Sequence, residues 1–498
     1  MNVLDRVIAA FAPEAGVRRA QARHALTVLA NYSAATTTGR GSSWWKARNS
    51  DADAAAGRRG KLRDISRDMI RNTPLATRAQ MVIANNVVGD GIIPKVAARN
   101  KATQRGLQQL VERHLDTVAI DADGRANLYG LQRLAMNACI DAGEVLLRRR
   151  RRRVEDGLPL PFQVQILEAD YLDTTKEGEA DGGGYIREGI ERDAIGRRVA
   201  YWLYDEHPGT SAYRPRGLQS RRVPARDIIH LYRQDRPGQL RGVTWFAPIA
   251  LNLQDLADGI DAHLMRQKIA ACFAAFRVRL DADPTTGATV EDKLESIRPG
   301  RIQTLGPGED VRFSAPPAVE GFDEFNKVIL RMVAGGLGIT YESLSGDLSN
   351  VNFSSARMGR MEMNRNVSAW QHLMMVPQMM DPLGQWFLEA AALQAGRSFG
   401  PDVRLTWVPP PPVLVDPAKE IAAAREAVLA GFKSRQQVIR EQGFDPERVL
   451  EEQKEDAAAA DLAGLVFDSD ARVGRVAPAV TSPAQQEPGD QNTGDQNE

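Results

Sequence analysis

Six consecutive arginines, Arg148, Arg149, Arg150, Arg151, Arg152 and Arg153, are the loudest chemical signal in the chain. Guanidinium groups keep their charge and grip phosphate through paired N–H donors, so this run could hold a nucleic-acid backbone. At the end of a strand near a turn, the same residues would instead alternate between faces and meet solvent or acidic neighbours. Other reactive residue types do not assemble into a catalytic signature. The six histidines stand at 24, 114, 207, 230, 263 and 372, none of them four residues from another. Cys139 and Cys272 cannot complete a zinc site with them, and in apolar contexts they read as buried thiols of a reducing compartment. No GxxxxGKS/T run exists to cradle a phosphate. GGLGIT at 335–340 lacks the third glycine of a dinucleotide fingerprint and follows a helical pattern. DADGR at 121–125 has glycine in its fourth place, which is not an EF-hand loop. Asp281 and Asp283 read as turn residues. The expectation is a protein with no catalytic residues, no metal and no cofactor.

The elements that would position these residues follow from periodicity. A chain of 498 residues predicts roughly two to four folding units. Hydrophobic residues are 43%, charged residues 26% and aromatics 6%, which favours helices packed on helices with surface left for subunit contacts. Lys plus Arg and Asp plus Glu are both 64, so the basic excess of a sequence-reading DNA binder is missing. No apolar run reaches the about 20 residues of a membrane span. The start is an amphipathic pattern too short and too charged for a secretory signal. It leads into a polar arm interrupted by Trp44-Trp45.

From Leu62 to Val88 the pattern is helical, broken at Thr73-Pro74, and two more helices flank DADGR. EVLLRRRRRR with PFQVQILEADYL, and YIREGIERD with RRVAYWLYDE, read as two hairpins. VPARDIIHLYR reads as a strand with a lead-in turn. Ile249, Leu253, Leu256, Ile260 and Leu264 form one helical stripe. RVRL and RIQTL are strand-like within a turn-rich insertion, and a helix returns at 321–337. YESLSGDLSNVNFSS reads as a polar loop. A helix from about Ser354 to Ala395 follows, in which Pro377 and Pro382 should cause a kink or break. Seven of the thirteen methionines fall between 358 and 380, which suits adaptable subunit packing or a surface that slides along DNA. Three capped helices close the chain: Asp416-Pro417 starts the first, Gly431 stops it, Ser434 with Gln437 boxes the second, and Asp445-Pro446 starts the third. The tail, with its repeated GDQN, should be disordered.

In order and spacing these stretches are similar to the lambda-type portal proteins of tailed phages. TGRGSSWW, LRDISRDMIRNTPLATRAQMVIANNVVGDGIIP, DAGEVLLRR, FQVQILEADYLD, GIERDAIGRRVAYWLY and VPARDIIHLYRQDRPGQLRGVTWFAPI carry the resemblance, with GLGITYESLSGDLSNVNFSSAR the most specific and DPAKEIAAAREAVLAGFKSRQQVIREQGFD the last. The resemblance implies an α+β portal fold, mainly helical. Its parts would be an N-terminal arm at 1–59, an α+β wing at 60–245 and a stem helix at 246–276. A small clip insertion at 277–320, a second stem helix at 321–340 and a tunnel loop at 341–353 would follow. A long kinked helix returning to the wing at 354–415, a helical crown at 416–467 and a disordered tail at 468–498 would complete it. It implies a ring, probably a dodecamer, that conducts double-stranded DNA without sequence specificity and helps nucleate procapsid assembly. Further partners would be the terminase large subunit, major capsid and scaffold proteins and a head–tail adaptor. The place would be the portal vertex of the virion, and the host cytoplasm during assembly. Ser343, Ser345, Gly346, Asp347, Ser349, Asn350 and Asn352 would line the DNA tunnel. Asp281, Asp283, Thr285, Thr286 and Gly287 in the clip would dock the motor or tail. The rival classes are a DNA-processing enzyme or motor subunit, which lacks its motifs here, and a head–tail adaptor, which would be shorter.

Overall fold

Residues 58–210, 218–271, 275–279, 309–313, 321–349, 353–411, 417–442, 444 and 446–467 are described by the computed structural model. The chain divides after residue 412 into two units.

In the first unit, helix α1 (Arg59–Asn72) ends where Thr73 turns extended ahead of Pro74, because the proline ring excludes helical backbone from the residue before it. Pro74 then opens α2 (Pro74–Val87). Strand β1 (Ile93–Ala97) precedes α3 (Lys101–Leu110), whose Asn100 cap accepts two backbone N–H bonds. α4 (Leu128–Ala142) is capped by Asn127 and stopped by Gly143 at φ +88°. The chain then runs directly into β2 (Glu144–Arg151), which pairs with β3 (Phe162–Glu168) as the first expected hairpin.

Five short strands follow: β4 (Gly178–Ala180), β5 (Gly184–Arg187), β6 (Ile190–Arg192), β7 (Arg198–Tyr204) and β8 (Ser220–Pro224), an antiparallel sheet in that order. The second expected hairpin is present as β6–β7, but YIREGIERD is not one strand. Glu188 and Gly189 both take positive φ and fold it into β5 and β6. Strand β9 (Ile228–Tyr232) joins β2 on the side opposite β3, giving the order β3-β2-β9.

This three-stranded sheet explains the local packing. Val145 and Leu147 face the main core with Phe162, Val164, Ile229 and Leu231. Leu146, on the other face, joins Leu167 of β3 and Ile190, Tyr201, Leu203 and Val223 of the five-stranded sheet. A one-residue slip of β2 would exchange the two faces. With each buried aliphatic side chain contributing about 1.5–3 kcal/mol, the register is fixed.

Helix α5 (Ala250–Ala271) carries the predicted stripe only halfway into the core: Ile249, Leu253 and Leu256 are buried, Ile260 and Leu264 exposed. Strands β10 (Ala275–Arg279) and β11 (Glu309–Phe313) pair antiparallel, so EDVRF supplies a strand where turns were expected; RIQTL lies outside the described residues. Helix α6 (Phe322–Leu337) meets α5 through stacked His263 and Phe322 rings with centroids 4.2 Å apart. α7 (Tyr341–Ser345) is a short helix.

α8 (Phe353–Trp370) continues without a break through a π-helical segment, Gln371–Met380, into α9 (Asp381–Ala395). Pro377 lies inside that segment. The widened turn accommodates a residue that lacks an N–H and would crowd the carbonyl four residues back, so the expected break is a wide turn instead. Of the seven clustered methionines, Met363, Met374, Met375, Met379 and Met380 are core, whereas Met358 and Met361 are exposed. β12 (Arg404–Val408) returns to pair with β1.

The second unit contains α10 (Pro417–Leu429), α11 (Arg435–Glu441) and α12 (Pro446–Ala463). Gly431 takes φ +79°, and the Ser434 hydroxyl accepts from Gln437 N–H as the sequence predicts. Cys272, the arm up to 57, the RIQTL stretch and the tail from 468 lie outside the described residues.

Candidate functional site

The arginine run divides by strand parity. On the odd face Arg149 is enclosed: its side chain is 8% exposed and paired with Glu389, and its guanidinium lies 5.7 Å from the Phe162 ring centroid and 5.9 Å from that of Trp386. Arg151 pairs with Asp227 at 3.0 Å. These two are structural ties, and the six do not act as one phosphate grip. On the even face the Arg150 Nε donates to Gln165 and the Arg152 Nε to Gln163, each at 2.8 Å. Arg148 is half-buried at the rim of the second core cluster. Burial holds Arg148 below the ordinary arginine value, and the charge of Arg150 adds to this, against Asp205 and Asp227. Burial and Arg152 do the same to Arg150. Arg153 lies beyond the strand, where its backbone N–H donates to Asp156.

The expected tunnel segment opens as a helix, and only 346–349 among its described residues are loop. Thr340 caps α7 by accepting the Ser343 N–H, and Gly346 ends it at φ +75°. The sequence TYESLSG thus carries a start and a stop signal six residues apart, which reading it as a loop overlooked. The Ser343 hydroxyl accepts from Thr340, and the Ser345 hydroxyl donates to Tyr341 O and accepts from the Asp347 N–H. Arg78 from α2 donates to the Ser343 carbonyl at 2.9 Å. Asp347 accepts from Ser349, whose hydroxyl and N–H hold the carboxyl below its usual range, and from the Tyr341 hydroxyl. The segment is therefore a braced knuckle with Leu348 and Ser349 exposed at its tip. Asn350 and Asn352 lie outside the described residues, as do Asp281, Asp283, Thr285, Thr286 and Gly287.

A buried ionic centre was not foreseen. Glu144 accepts from Arg241, His230 and the Gly242 N–H, all within the interior. Burial alone would raise the Glu144 carboxyl, but Arg241 and His230 hold it below the carboxylate range. Burial pushes His230 down to about 4, so it is neutral at pH 7. The only sequence signals were charged or polar residues inside apolar strands, in DAGEVLL and IIHLY. Glu168, Asp170 and His207 approach closely enough to share a cation. Arg67 already lies 3.1 Å from Glu168 and 2.9 Å from Asp170, with Arg63 2.8 Å from Asp170, so guanidinium groups supply the positive charge. DADGR is a structural turn as well: the buried Asp121 carboxylate accepts the N–H groups of Asp123, Arg125 and Ala126.

Residues 38–371 match the family described as phage portal protein, lambda family. The chain belongs to that family. A probable portal protein of Halomonas phage phiHAP-1 is 27% identical over 458 residues, 87% of this chain and 88% of that relative. The portal protein of Escherichia phage N15 is 24% identical over 325 residues, 56% of this chain and 60% of the relative. Portal protein B of Escherichia phage lambda is 21% identical over 325 residues, 56% and 59%. Among solved structures, the neck of an empty gene transfer agent particle aligns with a TM-score of 0.48 at 16% identity, over 78% of this chain and 94% of that one. Portal proteins are structural and not enzymes, and this chain is one of them.

Proposed function

We propose that this chain is the subunit of a ring of about a dozen copies, set at one capsid vertex, through which double-stranded DNA passes during packaging and ejection. The family match over residues 38–371 carries this reading. In it, 60–245 is the wing, α5 and α6 are the stem, and 277–320 is the clip that docks the terminase large subunit and later the head–tail adaptor. Residues 341–353 line the tunnel, 354–415 are the long helix and return, and 416–467 are the crown. Scaffold and major capsid proteins meet the ring while it nucleates a procapsid in the host cytoplasm.

Two physical features agree with it. Ile260 and Leu264 on α5, and Phe325, Val328 and Met332 on α6, are exposed in the single subunit. A closed ring needs two different faces of one subunit to meet, and such rows supply them. The formal net charge of zero suits a conduit, because affinity for DNA rises with every phosphate neutralised. Negative-stain imaging of the purified full chain tests the reading. Hollow rings of about a dozen subunits are expected; a protein that stays monomeric at every concentration and salt overturns it.

A further inference from the structure

We infer that the even face of β2, formed by Arg148 and Arg150 and continued by Arg152 just past the strand's end, is a binding row for the phosphates of double-stranded DNA lying against the wing. The portal reading enters only as the reason why the polyanion is DNA.

Strand alternation separates this row from its neighbours. Leu146 anchors the even face in the second core cluster, and the arginines at 148, 150 and 152 emerge from it in sequence order, half-buried to exposed. Among the described residues no carboxylate lies within ion-pair distance of these three, whereas Arg149, Arg151 and Arg221 each have one, in Glu389, Asp227 and Asp205. What holds Arg150 and Arg152 is neutral. The carbonyls of Gln165 and Gln163 on β3 take the Nε–H of each at 2.8 Å. A glutamine in that place fixes the direction of a guanidinium without cancelling its charge, and the terminal nitrogens stay available. A glutamate would give a stronger bond and a silent surface.

The geometry suits a repeating anion. Alternate residues of a strand are about 6.6 Å apart, and successive phosphates of one DNA strand, which rise about 3.4 Å along the axis and turn around it, lie a comparable distance apart. Three like charges in line repel one another, and an added polyanion relieves that repulsion and releases its own counterions. Acidic groups on a neighbouring copy are the competing occupant, and ring assembly measured beside DNA binding separates the two.

The test is binding of a short fluorescent duplex of random sequence to the full-length protein between about 50 and 200 mM salt. Replacing all three arginines (R148Q, R150Q, R152Q) should lower the slope of log affinity against log salt by about 2.7 per bound subunit, at about 0.9 per lost phosphate contact. R151Q should leave the slope unchanged. A second variant, Q163E with Q165E, keeps every arginine and places a carboxylate beside two of them. It should reduce the slope by about 1.8 on the same basis, and it separates loss of charge from loss of fold. An unchanged slope in this second variant overturns the inference. So does loss of ring assembly with DNA binding intact, which would make the row a contact between copies. Failure of the wild type to form rings would count against the portal reading alone, since the salt slope is read from whatever assembly is present.

Discussion

Glu144 and Arg241, 97 residues apart, form an ion pair in which both side chains are 2% exposed. Glu144 begins β2 immediately after the α4 stop, so the pair ties the central sheet to the segment leading into α5. Removing one partner strands the other charge in the interior. R241M should destabilise the protein by about 3–5 kcal/mol, read as a lower urea midpoint at unchanged slope. The double change E144L with R241M should recover much of that loss, because apolar replacement of a whole buried pair is often neutral. A single variant as stable as wild type would show that the pair is not closed in solution.

The two histidines in the interior set an acid limit. Burial pushes His114 and His230 each down to about 4 from 6.5. Between these values the unfolded chain binds protons that the folded chain refuses, so stability falls as pH drops from 6.5 to 4. The size is about 3 kcal/mol per histidine at the acid end. H114F keeps an aromatic ring against Phe162, whose centroid is 5.0 Å away, and should flatten the decline by that amount. Thermal unfolding at pH 7 and pH 4.5 checks it; equal pH sensitivity in the variant counts against a neutral His114.

Gly143 and Gly242 stand where main chain packs closely against main chain. A Cβ on Gly143 would lie 2.3 Å from the Val243 carbonyl carbon, and one on Gly242 would lie 2.0 Å from the Gly143 oxygen. Gly143 also holds φ +88°. Either G143A or G242A should cost about 3 kcal/mol or more, from strain and displaced main chain together. Gly157 at φ +72° has open space around it, and G157A should cost only about 1 kcal/mol. The melting temperatures of G143A and G242A should both fall well below that of G157A.

These residues also mark how far the sequence could be read. Thr73-Pro74, the Ser434 cap and the Gly431 stop were legible because their signals act within one turn of the chain. The stripe from Ile249 to Leu264 gave the helix but not its change from core to surface, which depends on where other elements end. The parity of the arginine run was implicit in a strand, yet its consequence was not. Glu389 is 240 residues from Arg149, and no local pattern announces it. The Glu188-Gly189 turn was missed for a smaller reason: a single Glu-Gly inside a charged run resembles a continuing strand.

In the tunnel reading, the tip of the Tyr341–Ser349 knuckle faces DNA. D347K together with N350K would add positive charge from every subunit at the constriction. Rings should still assemble, and at low salt packaging should stall or stop short of a full genome. Normal speed and extent of packaging at low salt would remove the segment from the channel.

The clip reading makes a separable claim. Exchanging Asp281 through Gly287 for a short Gly-Ser linker should leave ring images unchanged, because β10 and β11 pair on either side of the insertion. Capture of the terminase large subunit by immobilised rings should be lost. Full capture by the variant would move the docking surface elsewhere.

The widened turn from Gln371 to Met380 also governs direction. Each residue of a helix swings the next side chain by about 100°, and a π turn holds one residue more than the α turn it replaces. The rod from Phe353 to Ala395 therefore points its two ends on different bearings: Met358 and Met361 look outward at one end, while Leu383, Trp386 and Phe387 are locked inside at the other. Deleting a single residue there would hardly shorten the rod, yet it would turn the outward end like a key against a fixed barrel. In this stretch the number of residues, more than the size of any one side chain, sets the bearing of the outward end.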